Sequence, residues 1–226
     1  MVYLVRHGQT AWNTDGLFRG HHDVPLSDEG RKQADRAAAY LTDCKISLIF
    51  TSPLSRSRET ASIIADRIGC SVHVQQGLTD VDFGQWEGKT SRDVASRYPD
   101  SYFLYKNHPE RAAFPEGETL SGCFERAVGS FFRILGGVAS ALESAEGDVG
   151  VASEHQYPAN IAIVTHRVIL KLIVLGILGL SPAQFWKIHL DTCSISELVY
   201  EHGHCILRKL NSTCHLLGSG NHVNDF

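Results

Sequence analysis

The chain has 226 residues, 43% hydrophobic and 20% charged, a composition that places it among globular proteins and excludes a disordered, collagen-like or bare coiled-coil chain. Lys and Arg total 21 against 25 Asp and Glu, a formal net charge of -4, so the overall balance indicates no nucleic-acid partner. Any anion site must come from local clustering.

Met1–Val5 is an apolar run too short for a secretory signal, and Tyr3-Leu4-Val5 reads as a buried strand that breaks at Gly8. Ser27-Asp28-Glu29 then supplies an N-cap and an acidic first turn for a helix carrying Ala34, Ala37, Ala38 and Leu41. The unit repeats. Ser47–Thr51 is a second strand, Ser52-Pro53 opens a helix with Ala61, Ile64, Ala65 and Ile68 at helical spacing, and Val72-His73-Val74 is a third strand. Residues 89–118 turn aromatic and polar, which predicts an inserted lid. A long helix over 119–144 follows, with Leu120, Phe124, Phe131, Leu135, Val138 and Leu142 on one side, and Gly147–Pro158 reads as a polar loop. Ile161–Thr165 is a buried strand leading into an apolar helix over 168–180. That run contains Lys171 and is shorter than the roughly 18 apolar residues of a membrane span. Ile195–Tyr200 and Ile206–Leu210 predict a hairpin around Gly203.

Strands alternating with helices predict an α/β fold, a three-layer sandwich with a mostly parallel central sheet and a helical lid, built as a single domain over 1–226. In such sheets ligands bind at the carboxyl ends of the strands. Three strands end in reactive residues: Arg6-His7-Gly8, Ser52–Arg56 and His166-Arg167. Their convergence predicts two arginines and two histidines around one point. Guanidinium forks suit phosphate oxygens, and backbone donors from the Gly8 turn are expected to add to them. A neutral imidazole beside them can attack phosphorus, and neighbouring arginines favour the neutral form. His7 is the candidate nucleophile, and His166 would offset charge on a nonbridging oxygen.

The ordered set Leu4–Asn13, Phe18-Arg19-Gly20, Pro25–Gly30 with Gln33-Ala34, Ser52–Arg56 with Thr60, Asp82–Gly88, Pro115–Glu118 and Val164-Thr165-His166 resembles the histidine phosphatase superfamily, also called phosphoglycerate mutase-like. The resemblance implies that His7 is phosphorylated and that Arg6, Arg56 and His166 hold the phosphoryl group. It also implies that Asn13 and the Arg19-Gly20 turn line the pocket, with no metal and no cofactor. The family's proton donor is usually a Glu; its register lands on Asp80 here, one methylene shorter, with Asp82 and Glu87 as the alternatives. A second departure is Arg167, where many relatives carry Gly; it either contacts substrate or points to solvent.

The expected function is metal-independent hydrolysis of small phosphomonoesters through a phosphohistidine, in a cytoplasmic enzyme with no membrane or nucleic-acid partner and a sheet edge suited to a homodimer. The alternatives are a cofactor-dependent phosphoglycerate mutase and a catalytically weak phosphate- or phosphopeptide-binding module. The resemblance admits sugar phosphates, phosphoglycerate, phosphoserine or ribazole phosphate as substrates. Other features carry blander readings. Cysteines at 44, 70, 123, 193, 205 and 214 form no C-x-x-C pair and read as reduced thiols. His21-His22 and the Cys193, His202, His204, Cys205, Cys214, His215 group match no zinc spacing. The aromatics at 98–105 serve either as a substrate wall or as lid packing, and Arg58, Arg92, Arg97 and Arg111 read as solvated charges.

Overall fold

The computed structural model describes residues 1–146, 160–201 and 203–217. Six strands form one sheet: β1 (Val2–Arg6), β2 (Ile46–Thr51), β3 (Ser71–Val74), β4 (Asn160–Thr165), β5 (Ile195–Glu201) and β6 (His204–Ser212), in the order β3-β2-β4-β1-β5-β6. The first four in that order run parallel, and β5 and β6 complete the sheet as an antiparallel hairpin. Because side chains alternate along a strand, β1 sends Tyr3 and Val5 to one face and Val2 and Leu4 to the other. The first face is covered by α2 (Asp28–Leu41) and α3 (Ser55–Ile68) through Ala37, Ala38, Leu41, Ala61, Ile64 and Ala65. The second face packs against α6 (Leu120–Glu146) and α7 (Arg167–Ile177).

The predicted strands and long helices are all present, with differences at their ends. The apolar helix stops at Ile177 rather than at 180, because Gly179 takes φ +67 and Leu180 turns out to solvent. A four-residue helix, α1 (Ala11–Thr14), follows β1 and was not predicted; it is too short to show a period. The 147–158 loop, the Leu142 side chain and His202 lie outside the described residues. The segment expected to be a lid forms α4 (Ser91–Arg97) and α5 (Pro99–Asn107). Of its two readings, packing dominates: Tyr105 is 2% exposed and its ring meets Phe18, Phe83, Trp86, Phe114 and Trp186. Arg58, Arg92, Arg97 and Arg111 are exposed. No described helix is long and apolar enough to cross a membrane.

The turn after β1 is pressed against the start of α2. Ser27 caps that helix by accepting from the Gly30 amide at 3.1 Å, and its hydroxyl donates to the Gln9 carbonyl at 3.2 Å. A Cβ on Gly8 would lie 2.5 Å from the Gly30 carbonyl oxygen, and one on Gly30 would lie 2.1 Å from that of Gln9. The two backbones touch. In an ordinary helix, Gly to Ala gains about 0.5–1 kcal/mol. Gly30→Ala is expected instead to destabilise by about 1–3 kcal/mol, the usual cost of overpacking, as read by urea unfolding; a gain in stability would show that the contact yields easily.

Candidate active site

The site follows from the sheet register. β1 and β4 are neighbours with Arg6 opposite Thr165, so the next residues, His7 and His166, leave the sheet side by side with ring centroids 5.3 Å apart. β2 ends beside β4, and the turn after it carries Ser52 to His166, whose Nε2 is 2.7 Å from the Ser52 hydroxyl. One residue into α3, Arg56 reaches the same place. Arg6, His7, Arg56 and His166 are all buried. The predicted convergence is present in the geometry.

Each group has an identifiable set of partners. His7 Nδ1 lies 2.6 Å from the Gly8 carbonyl oxygen; since a carbonyl can only accept, Nδ1 carries the proton and Nε2 the lone pair. Burial first, then the Arg56, His166, Arg6 and Arg19 charges, push His7 well below the usual histidine range. Burial and the charges of Arg56, Arg19, Arg6 and Arg126 do the same to His166. Arg6 Nη1 donates to the Leu190 carbonyl at 2.8 Å. Arg56 donates through Nη1 to the His22 carbonyl and through Nη2 to the Gly20 carbonyl, both at 2.8 Å, and through Nη2 to Asp80 Oδ2 at 3.1 Å. Arg56 Nε and His166 Nδ1 are buried nitrogens with no hydrogen-bond partner among the described residues. An unsatisfied buried donor costs about 1–3 kcal/mol, and an oxyanion would satisfy both.

The two neutral histidines make stability depend on pH with a definite sign. Below 6.5 the unfolded chain protonates these rings while the folded one does not, so unfolded protein binds more protons and stability falls as pH drops. Above 6.5 the effect is absent. Urea midpoints are expected to fall between pH 7 and pH 5, and His166→Gln should flatten the slope; an unchanged slope would remove His166 from the account.

The acid candidates separate clearly. Asp80 is 5% exposed, bonded to Arg56, with Oδ2 3.6 Å from His166 Nδ1. Asp82 Oδ1 instead accepts from the Gly84 amide at 2.8 Å, closing its own turn. Glu87 accepts from the amides of His21 and Phe83 and faces His22 Nδ1 at 2.9 Å, so it braces the 20–22 turn. Arg19 is buried beside Asp80, and both line a pocket with Phe18, Phe83, Arg167 and Val168. Gly20 contributes its carbonyl to Arg56. Asn13 is buried, with Oδ1 accepting from the Thr10 amide and hydroxyl at 2.8 and 2.9 Å.

One expectation is corrected. The backbone amides of the Gly8 turn are not directed at a ligand: His7 donates to the Thr165 carbonyl, Gly8 to Thr60 Oγ1 and Gln9 to Gln33 Oε1. These bonds fix the loop against β4, α3 and α2, so the donors of the site are side chains.

The sequence did not expose a supporting arginine. Arg126 of α6 donates to the carbonyls of Gly77, Thr79 and Asp80 and pairs with Glu118, whose Oε1 also accepts from the Asp82 amide. This clamp holds the loop that carries Asp80. The Pro115–Glu118 motif pointed to Glu118, but nothing local linked it to Arg126. The six cysteines are free thiols, and no cluster of three or more His, Cys, Asp or Glu suited to a metal occurs among the described residues.

Paired histidines and arginines stand together at the carboxyl ends of parallel strands in this α/β fold. The profile of the histidine phosphatase superfamily (branch 1) matches residues 2–213. The chain belongs to that superfamily, and it is a phosphatase of it. It is 28% identical to phosphoserine phosphatase 1 of Hydrogenobacter thermophilus, over 95% of this chain and 93% of that one. It is also 28% identical to the adenosylcobalamin/alpha-ribazole phosphatase of Escherichia coli, over 93% and 95%. A phosphoserine phosphatase of Entamoeba histolytica, solved with phosphoserine, superposes with a TM-score of 0.75 at 26% identity, covering 96% of this chain and 98% of that one.

Proposed function

We propose that this chain hydrolyses small phosphomonoesters without a metal, through a phosphohistidine on His7. The observation that carries the reading is the His7 ring: neutral, held through Nδ1 by a carbonyl, and therefore presenting the Nε2 lone pair beside Arg56 and His166. In the first step Nε2 attacks phosphorus, the P–O bond to the alcohol breaks, and Asp80 gives that oxygen its proton. In the second, Asp80 takes a proton from water, water attacks the phosphohistidine, and phosphate leaves. Arg6, Arg56 and His166 bear the nonbridging oxygens, with the Asn13 amide nitrogen and Arg19 beside them. His166 takes up a proton as the dianion docks, because the anion outweighs the surrounding arginines.

In this reading the whole chain acts as one domain with residues 89–118 over the strand ends. The enzyme is cytoplasmic, in keeping with free thiols, and the exposed β3 edge serves a homodimer. The test is phosphate release from a panel of phosphomonoesters in EDTA. Turnover that survives the chelator is expected. Turnover restored only by added metal would overturn the metal-free route, and turnover that requires a bisphosphate primer would make the chain a mutase.

A further inference from the structure

The turn after β2 carries Arg56 into the site, and its first residue, Ser52, is itself fully buried against His166. Ser52 is held on every side. Its amide donates to the Val164 carbonyl, its carbonyl accepts from Thr51 Oγ1, and its hydroxyl oxygen accepts from the Leu54 amide, each at 3.3 Å. Among the described residues that hydroxyl has one further hydrogen-bond partner, His166 Nε2 at 2.7 Å. The other ring nitrogen of His166, Nδ1, lies 3.6 Å from Asp80 Oδ2 and has no hydrogen-bond partner. Asp80 is a wall of the pocket, so the two nitrogens of one buried ring face a hydroxyl on the scaffold side and an acid on the pocket side.

Burial and the surrounding arginines keep this ring neutral, so one nitrogen carries the proton and the other the lone pair. Both contacts select the same arrangement. Asp80 Oδ2 already accepts from Arg56 Nη2 at 3.1 Å, so a lone pair on Nδ1 would face an acceptor, whereas an N–H there faces it favourably. On the opposite side the hydroxyl has one hydrogen to give, and Nε2 is the acceptor beside it. With the proton on Nδ1, both contacts are attractive. With the proton on Nε2, the Ser52 hydrogen loses its acceptor and two lone pairs oppose each other across the pocket side. An imidazole free in water prefers the Nε2–H form, so the site works against the ring's own preference.

We propose that Ser52 is a positioning residue for phosphoryl transfer: its hydroxyl donates to His166 Nε2 and thereby holds the proton on Nδ1, where the N–H meets a nonbridging phosphoryl oxygen. This rests on the phosphohistidine route and names the group that prepares one of its donors. The resting ring offers an N–H to the substrate before it gains any charge. When the docked dianion raises the ring's proton affinity, the second proton sits on Nε2. The Ser52 oxygen, with one lone pair given to the Leu54 amide and one to spare, then turns from donor to acceptor. A hydroxyl serves both states of the ring, which neither a carbonyl nor a carboxylate could do.

The tautomer can be read directly. Long-range nitrogen–proton NMR of protein carrying isotopically labelled histidine distinguishes Nδ1–H from Nε2–H, and His166→Gln identifies the His166 signals. The resting enzyme is expected to hold His166 as Nδ1–H, and Ser52→Ala should shift it towards Nε2–H. In the same variant kcat should fall about tenfold with KM little changed, short of the roughly 10^2–10^3-fold loss when an oxyanion donor is removed outright. Ser52→Thr keeps the hydroxyl and should restore both the tautomer and kcat. If Ser52 only ties the turn to Leu54, Ser52→Ala would lower the urea midpoint and leave tautomer and kcat as they were, a result that overturns the proposal. An Nε2–H ring in the wild-type protein overturns it as well, and that measurement needs no variant of Ser52 to fold. Wild-type protein that releases no phosphate even from p-nitrophenyl phosphate would instead sink the phosphohistidine route; the tautomers of the resting protein and of Ser52→Ala would still decide whether Ser52 sets the ring.

Discussion

Replacing His7 by alanine is expected to lower phosphate release by about 10^4-fold or more, since the variant lacks the only nucleophile in the proposed route and must rely on the remaining cradle. The prediction is sharper than loss of activity. Wild-type enzyme quenched in alkali during turnover of a labelled phosphomonoester should carry label on His7, stable to base and lost in acid, as a phosphorus–nitrogen bond requires. The variant should carry none. Its Arg6, Arg56 and His166 remain, so it should still bind inorganic phosphate. Label persisting in His7→Ala, or turnover within tenfold of wild type, would remove His7 from the chemistry. The depressed proton affinity of His7 adds a condition: kcat/KM should show no acid limb near 6.5 from this ring, because it is neutral on both sides of that pH.

The second large effect concerns Asp80. Asp80→Asn keeps the shape and a hydrogen bond to Arg56 but cannot transfer a proton, so turnover of an alkyl phosphate, whose alkoxide leaves poorly, should fall by about 10^2–10^4. Loss on p-nitrophenyl phosphate should be far smaller, because nitrophenolate leaves without protonation. Equal losses on both would sink the acid role. Asp82→Asn serves as the contrasting variant: its carboxylate closes a turn onto the Gly84 amide, away from Arg56 and His166. A leaving-group-dependent loss there would transfer the role. Arg126 bears on the same question, since it grips three carbonyls around Asp80 and sets where that shorter acid stands. Arg126→Leu is expected to lower kcat on alkyl phosphates more than it raises KM, because the acid is displaced while the phosphate cradle is untouched.

Much of this molecule was legible because its local rules agree with its final structure. Ile161–Thr165 is a continuous apolar run and becomes a central strand buried on both faces; Ser27 caps as its residue type suggests. The Arg-His-Gly opening and the order of the motifs carry the family signature in the sequence alone. The short α1 helix and the end of α7 were less legible, as a single turn or one glycine carries too little pattern to decide a boundary. Aromatics at 98–105 fit two readings equally in sequence. The rings of Phe83, Trp86, Phe114 and Trp186, which come from distant segments, resolved Tyr105 into packing.

The sequence by itself determined the layers of the fold and the kinds of side chain at the strand ends, because hydrophobic period and residue chemistry are local properties. Only the tertiary structure decided which acid faces Arg56, which nitrogen of His7 carries the lone pair, that the Gly8 turn spends its amides on the scaffold, and that Arg126 grips the loop that carries Asp80. Each depends on where strand register and helix packing bring residues far apart in the chain, and no local pattern encodes a distance across a sheet.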